Sequence, residues 1–555
     1  MGMPRAGKND DVEEGKAVEL EECQSVPGAV VVEQGNGAVL LDVGHVKEQS
    51  GRTNLKLTRD GHTVLVPQPT DDPNDPLNWS DLKKNLLLLA ISLAAFQSDY
   101  QTAAGVPSVG LQGVEWHLSP VHVNYAGNLN VLMKYVFAAF PVKPIDPLEK
   151  AGLTVFFLSG IGGLVWIPLI YLWGRAPVLF WTSFIGTFLT LATCLVPNFA
   201  GYYGLRALMG VFLSSGPAVG LAFIQDVFFL HEQARKIGIW IFAVQVCPYC
   251  SPMFGSYIIA ATGSWRATFW VVFGLEALVL LCLALFLDES FYRRDLPPSQ
   301  QPQRGTRILR LVGWWQLQVH RRYFASFTSS FLRVFEILLK PIIIPLLAFY
   351  LLSCMWAIGI NQSSAILFAE PVSAGGYGMS LNSTGYLYFA PIIAVLIGET
   401  LGHFINDWTT TRYVRQHNGV FKPEARLPPV YLTLLLTVPG LILVGQALER
   451  HLSWVAVAFG WAMYTAAVMM FSVPLFAYAL DSYRNAPGEV SAWFNFARII
   501  GGFSVGYFQQ GWGLRSGFDV SFGVQAAIVA SGGLIILALQ IYGEKLRARG
   551  GVLRD

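Results

Sequence analysis

The sequence predicts an all-α membrane protein with many spans, and three observations carry that expectation. Charged residues make up 13% of the 555 positions, about half the roughly 25% found in a soluble domain. A mean hydropathy of +0.46 cannot come from one or two anchors in so long a chain, so the apolar excess is spread over many segments. Runs of about 20 apolar residues recur after position 80, the length at which a helix rising about 1.5 Å per residue crosses roughly 30 Å of hydrocarbon.

Residues 1–80 are polar, acidic and rich in Gly, Asp and Asn, a composition that reads as a disordered cytosolic tail. They lack the apolar core of a cleavable signal peptide, so the first true span is expected to act as the signal. Twelve spans follow. Six fall near 85–108, 151–173, 176–196, 200–224, 237–261 and 265–287 and make an N-terminal bundle over 81–290. Six more fall near 341–368, 384–406, 428–447, 453–479, 489–509 and 521–542 and make a C-terminal bundle over 341–543. The stretch 291–340 reads as a cytosolic central loop and 544–555 as a cytosolic tail.

Orientation follows from the basic residues, because short cytoplasmic loops retain Lys and Arg. Arg235 and Lys236, the run from Arg304 through Arg307, Arg310, Arg321 and Arg322, the segment Arg412 to Arg426, and Lys545, Arg547 and Arg549 all belong on one side. The connections near 197–202 and 370–380 are almost free of basic residues. The sequon Asn382-Ser383-Thr384 then lies outside, which makes Asn382 a glycosylation candidate. The segment 134–158, with three prolines and Lys-containing pieces, interrupts the approach to the second span. It reads either as an extracellular excursion or as a retained intron.

Several function classes are excluded. Lys and Arg number 38 against 36 Asp and Glu, with no basic arm, so nucleic acid has no electrostatic footprint to meet. Six cysteines, mostly inside apolar segments, do not make a secreted disulfide scaffold. Cys247-Pro248-Tyr249-Cys250 spells a redox motif, but a reactive thiolate needs an exposed helix N-terminus and this stretch lies within a span. Gly160-Ile161-Gly162-Gly163 lacks the context of a phosphate loop and reads as close helix packing. Neither a metal cluster nor a nucleophile triad is legible; an enzyme, a metal and a cofactor are not expected.

From Asp75 onward the chain resembles fungal members of the drug:proton antiporter branch of the major facilitator superfamily. The likeness is carried by Asp75-Pro76-Leu77-Asn78-Trp79-Ser80, Trp173-Gly174-Arg175, Arg206 to Gly210, Ser264-Trp265-Arg266-Ala267-Thr268-Phe269-Trp270 and Lys422-Pro423-Glu424-Ala425-Arg426-Leu427. The resemblance implies a major facilitator fold, two six-helix bundles related by a pseudo-two-fold axis along the membrane normal, with substrate near the midplane. It also implies proton-coupled export of a small organic compound by a monomer. In such proteins an acidic residue and the Gly-Arg pair after span two clip the cytoplasmic side. Here Gly174 and Arg175 remain, Ala176 replaces a second basic residue and the acid is missing, so a weaker clip is expected. Arg206, with Gly210 a turn later, matches an arginine motif thought to influence proton transfer. Pro252 and Gly255 match an antiporter motif in span five, with Cys247, Ser251 and Ser256 where Gly is usual; a bend and close packing are expected there.

Ionisable groups inside spans are functional candidates by default. Asp99, Glu276, Glu399 and Arg498 join Arg206 as candidates for proton coupling, with Asp99 and Glu399 expected beside the central cavity and Glu276 at the lipid interface or paired locally. Gln245, Trp356, Asn361, Gln362, Tyr386, Tyr388 and Asn495 are candidates to line an apolar cavity with a few polar contacts. Uptake of a cationic or nutrient solute remains an alternative, as does a transport-dead sensor or scaffold. The plasma membrane is the default location and the vacuolar membrane the alternative.

Overall fold

In a computed structural model of the chain, the described residues are 31–34, 38–41, 65, 67–133, 162–294, 296–324, 326–369, 376–417, 422–483 and 486–551. Within the N-terminal segment, β1 (Val31–Gln34) and β2 (Ala38–Leu41) pair as an antiparallel hairpin. The membrane domain begins at a cap: Ser80 accepts the Lys83 amide and opens α1 (Asp81–Ala103), with Asp81 against the positive end of the helix dipole. The segment before it is docked rather than a free tail. Asp75 is 0% exposed; its carboxylate accepts from Leu77 and Thr70 and pairs with Arg294 at 3.2 Å. The boundary expected at residue 80 is corrected accordingly, since a buried carboxylate with those partners fixes the chain about ten residues earlier.

A 3-10 turn (Val106–Ser108) carries α1 into α2 (Val109–Trp116). Then come α3 (Pro120–Met133), α4 (Gly162–Trp173) and α5 (Arg175–Leu195), followed by α6 (Phe199–Leu213) and α7 (Ser215–Val227), which together form the fourth span. The first bundle ends with α8 (Leu230–Thr262) and α9 (Trp265–Phe286). The central connection is helical: α10 (Arg307–Val312), α11 (Trp314–Tyr323) and α12 (Phe327–Leu338). The second bundle comprises α13 (Ile343–Ser364), α14 (Leu381–Leu387) with α15 (Phe389–Gln416), α16 (Pro428–Glu449), α17 (Trp454–Ser482), α18 (Pro487–Ser516) and α19 (Phe518–Gly550).

Helix pairing makes the repeat visible. In the first bundle the first span packs on the fifth and sixth, the third on the fourth and sixth, and the second on the fourth. In the second bundle the seventh packs on the eleventh and twelfth, the ninth on the tenth and twelfth, and the eighth on the tenth. Every pairing recurs six spans later, as two six-helix bundles related by a pseudo-two-fold axis require. The bundles meet where the second span touches the eleventh and the fifth touches the eighth, and these two contacts exchange under the same operation.

The second span is assembled from two pieces. Helix α3 has 14 residues and α4 has 12, about 21 and 18 Å long, so neither alone crosses roughly 30 Å of hydrocarbon and both together do. Both pack against α6 and α18. The second span therefore begins near Pro120 and not at 151 as expected, because α3 supplies one half of it. The atypical segment 134–158 lies outside the described residues.

Among the described residues, nine segments are long and apolar enough to cross a membrane. The sixth span shows the lipid side best: Leu278, Leu281 and Leu285 are each more than half exposed along one face of α9, the outward apolar stripe that a bilayer covers. One end of the bundles gathers basic residues and is called the basic face. There α10 is tied to the end of the sixth span, with Arg310 at 2.9 Å and Lys83 at 2.7 Å from Asp288. Two domain expectations change at this face. The central loop holds three helices, and the tail expected at 544 is the last turns of α19, where buried Arg547 pairs with Glu424 at 2.8 Å.

Candidate transport site between the bundles

Two prolines in α8 set up the site. Proline has no N–H, so Pro252 leaves the Pro248 carbonyl without its helical donor. The Asn361 side chain of α13, in the other bundle, donates to that carbonyl at 3.1 Å. Pro248 in turn frees the Val244 carbonyl, and the Cys247 thiol donates to it at 3.0 Å. The Cys-Pro-Tyr-Cys stretch is thus a repaired helix break, and Cys247 and Cys250 are not joined in a disulfide. Gly255 follows one turn on, where an added Cβ would lie 2.8 Å from Pro107, so α8 reaches the turn after α1 closely only as glycine.

A cavity of about 50 Å³ sits beside this break, lined by Asp99 and Thr102 of α1, Gln245 and Tyr249 of α8, Cys354, Asn361 and Gln362 of α13, and Arg498 of α18. Arg498 donates to Asp99 at 2.8 Å, joining the first span to the eleventh across the two bundles. The Arg498 and Asp99 side chains are 6% and 8% exposed. Charges removed from water to that degree persist only when paired, so the pair is a neutral unit in the cavity wall. The Gln245 and Asn495 side-chain oxygens stand 3.5 Å from the guanidinium.

Away from the basic face a larger cleft of about 280 Å³ opens between Val106 to Val114, Pro252 and Ser256 on one side and Ser364, Ile366, Leu381, Thr384 and Tyr388 on the other. Its lining holds no ionisable group other than the Tyr388 phenol, and the Tyr388 hydroxyl is hydrogen-bonded to Ser364. Toward the basic face the path is filled by aromatic rings from both bundles. Trp240 meets Phe476 edge-on, and Phe494 packs on Phe476 at 4.3 Å and on Tyr350 at 5.0 Å. Below them Ser491 and Asn495 donate to the Pro217 carbonyl. Deeper still, Glu489 of α18 accepts from Tyr171 of α4 at 3.0 Å and pairs with Arg333 of α12 at 3.1 Å.

The structure gathers some sequence candidates here and disperses others. Asp99, Gln245, Asn361, Gln362 and Arg498 line the cavity, and Tyr388 lines the cleft. Asn495 lies below the cavity against Ser491. Trp356 is buried but lines neither space, packing edge-on against Phe508. Tyr386 is 66% exposed and packs at a tilt against Tyr257, outside both spaces; its neighbour two positions on points inward because the helix turns by about 100° per residue.

Arg206 is 0% exposed, so it does not reach the interface. It donates to the Gln101 and Thr102 carbonyls at 2.7 and 2.6 Å and to the Gln101 side chain at 3.0 Å. Those carbonyls close the C-terminal end of α1, where backbone acceptors lack helical donors and a cation meets the dipole favourably. Gly210 is buried one turn on. Glu276 is 1% exposed inside the first bundle, with Thr190 and Arg206 facing its carboxyl; of the two positions expected for it, the lipid-facing one is not taken. Glu399 is half-buried on α15 against Gly238 of α8, toward the basic face and outside the lining of both spaces, because the eighth span turns that position to the fifth span. Asn382 is exposed in the first turn of α14.

The Gly174-Arg175 turn is firmer than the sequence suggested. Gly174 has φ +90°, which an L side chain resists. The Glu289 carboxylate accepts the Arg175 and Ala176 amides at 3.2 Å, and Arg175 reaches Asp226 at 2.7 Å. The acid missing from the loop is replaced by acids at the ends of the fourth and sixth spans, within one bundle. Asp226, Glu289, Glu489, Thr102 and Tyr249 were not singled out from the sequence. An acid immediately after an apolar run, as at Glu289, is the one signal that pointed to any of them.

Comparison with known proteins agrees with this architecture. Residues 150–506 match the Major Facilitator Superfamily. The chain is 25% identical to the MFS-type transporter hepF of Aspergillus oryzae over 86% of its length and 93% of that protein. It is 24% identical to the cycloheximide resistance protein of Candida maltosa over 88% and 85% of the two chains, and 25% identical to the efflux pump radE of Floropilus chiversii over 86% and 84%. The solved structure of the proton:xylose symporter XylE bound to 6-bromo-6-deoxy-D-glucose superposes with a TM-score of 0.57 at 15% identity, over 85% of this chain and 100% of that one; at that identity the likeness concerns the fold. With twelve spans repeated as six and six, and a polar cavity where the repeats meet, the chain is a membrane transporter that belongs to the Major Facilitator Superfamily.

Proposed function

We propose that this transporter exports a small organic compound in exchange for protons. The observation that carries the reading is the Asp99–Arg498 pair at 2.8 Å, a titratable carboxylate whose counter-ion belongs to the opposite bundle, inside the cavity. Adding a proton to Asp99 removes one charge of the pair and releases the link between the first and eleventh spans. Removing it restores the link. A proton therefore has different affinities for the joined and separated arrangements, which is the condition for it to drive a conformational change. The basic face is the cytoplasmic one in this scheme, by the distribution of Lys and Arg, and the cleft faces outside. Opening toward the cytosol requires the aromatic contacts around Phe476 and the Glu489–Arg333 pair to part. Two similar proteins are named for resistance and efflux, which favours export over uptake.

Inside-out vesicles test this with labelled cycloheximide and a panel of efflux substrates. With an acid lumen, compound accumulates in the lumen and a protonophore abolishes the accumulation. Accumulation unaffected by the protonophore, or efflux from preloaded vesicles under the same gradient, overturns the exchange.

A further inference from the structure

We propose that the site selects uncharged molecules that carry a hydrogen-bond donor on a largely apolar body, and that it rejects fixed cations. The proposal rests on the reading of the central cavity as the transport site.

Charge comes first. Asp99 is the one carboxylate among the residues lining the cavity, and Arg498 already occupies it at 2.8 Å. A cation could reach Asp99 only by displacing the guanidinium, which would then remain as a like charge in the same space. With Asp99 protonated the Arg498 guanidinium keeps its charge while the carboxylate loses its own, and a cation fares worse. Neither protonation state offers a bare carboxylate. The cleft on the side away from the basic face has no acidic or basic side chain in its lining, so an ion of either sign that entered there would lose hydration without compensation.

The second observation concerns which polar atoms are left over. Asn361 donates its Nδ2 to the Pro248 carbonyl, and only the amide nitrogen can make that bond. The amide orientation is therefore fixed by chemistry, and the remaining atom is the oxygen. That Oδ1 is buried with no donor, and so is the Oε1 of neighbouring Gln362. Both residues line the cavity and both are 3% exposed. Buried acceptors without donors are unfavourable until a donor arrives, and they repel an anion. A ligand N–H or O–H satisfies them, while apolar groups fit the remaining wall of Ala357, Ile358 and Val468.

Four matched dansyl compounds separate the possibilities: N-butyl dansylamide (neutral, one N–H), its N-methyl derivative (neutral, no donor), dansylaminoethyl-trimethylammonium (fixed cation) and dansylglycine (anion). Equilibrium binding to the full-length protein in lipid nanodiscs, with no gradient, is read by dansyl fluorescence. The donor compound binds about tenfold tighter than the N-methyl compound, as one buried hydrogen bond implies, and at least tenfold tighter than either ion. Gln362→Leu weakens the donor compound and leaves the N-methyl compound unchanged. Gln362→Glu, which adds a carboxylate that Arg498 does not already hold, gains about tenfold for the cation. Equal binding of all four, no binding of the donor compound, or preference for the cation overturns the proposal. Preference for dansylglycine also overturns it and points to Arg498 as an anion site. Because binding is measured without a gradient, loss of proton coupling would leave this result intact. Failed selectivity would likewise leave the vesicle result intact.

Discussion

Replacing one member of the Asp99–Arg498 pair exposes what it contributes. Asp99→Asn keeps the volume of the side chain but removes the charge, stranding a guanidinium that is 6% exposed. The Gln245 and Asn495 oxygens stand 3.5 Å from it, too far to replace a charged partner. Removing one partner of a buried pair costs about 3–5 kcal/mol, a large share of the roughly 5–15 kcal/mol that holds a folded domain together. Arg498→Gln strands the carboxylate and costs a similar amount. The double variant Asp99→Leu/Arg498→Met leaves no buried charge and is expected within about 1 kcal/mol of the parent or above it, since apolar replacement of a buried pair is often neutral or stabilising. Equilibrium unfolding in mixed micelles reads all four forms and gives the coupling energy, expected at about 3 kcal/mol or more. Single variants costing under about 1 kcal/mol, or a double variant as unstable as the sum of the singles, would refute the claim that the bundles are joined by this pair.

Four further outcomes follow from other parts of the molecule. Arg206→Met removes charge-assisted bonds to the Gln101 and Thr102 carbonyls and should cost about 3 kcal/mol or more, whereas a surface-anchored arginine would cost under about 0.5 kcal/mol. Burial pulls the Asp288 carboxyl upward, but Arg310 and Lys83 outweigh it and hold it below its ordinary value of 3.8; a depressed folded value means stability that is complete above about pH 4 and lost as pH falls below it. Thermal unfolding between pH 3 and 6 should therefore lose this component in Asp288→Asn and keep it in Asp519→Asn. Glu276→Gln, at a carboxyl that is 1% exposed, should leave the melting temperature equal or higher, and a marked fall would show an ion pair with Arg206. Deleting 134–158 brings α3 and α4 together in one span and should give a monodisperse, folded protein at higher yield; aggregation of that form, together with full-abundance message containing these codons, would count against the retained-intron reading.

The repeat of apolar runs made the membrane class and the count of spans readable, because hydrocarbon thickness imposes a length on every segment. The second span was the exception: its two halves are separated in sequence, and length alone selected only the half containing Trp166 and Trp173. Asp99 and Arg498 were each noticed as costly intramembrane charges, yet their pairing was not legible, since 399 positions separate them and one-dimensional periodicity carries no information across that distance. Pro252 was seen as a helix break and Asn361 as a polar residue in a span. Only the hydrogen bond from Asn361 to the Pro248 carbonyl across the two bundles shows that one repairs the other. Glu399 and Glu276 had the same composition signal as Asp99, yet Glu276 is buried inside its own bundle, Glu399 meets the fifth span away from the cavity, and among the three Asp99 alone lines the cavity. That is set by tertiary packing.

Proton movement in sealed proteoliposomes tests the central claim most directly. Lightly buffered vesicles containing trapped pyranine are given an outward gradient of a transported compound, and lumenal pH is followed as the compound leaves. Exchange at Asp99 predicts protons entering as compound leaves, so the lumen acidifies in proportion to flux with the parent protein and does not with Asp99→Asn. Compound leaving with no pH change in the parent, or an unaltered pH change in Asp99→Asn, would contradict it.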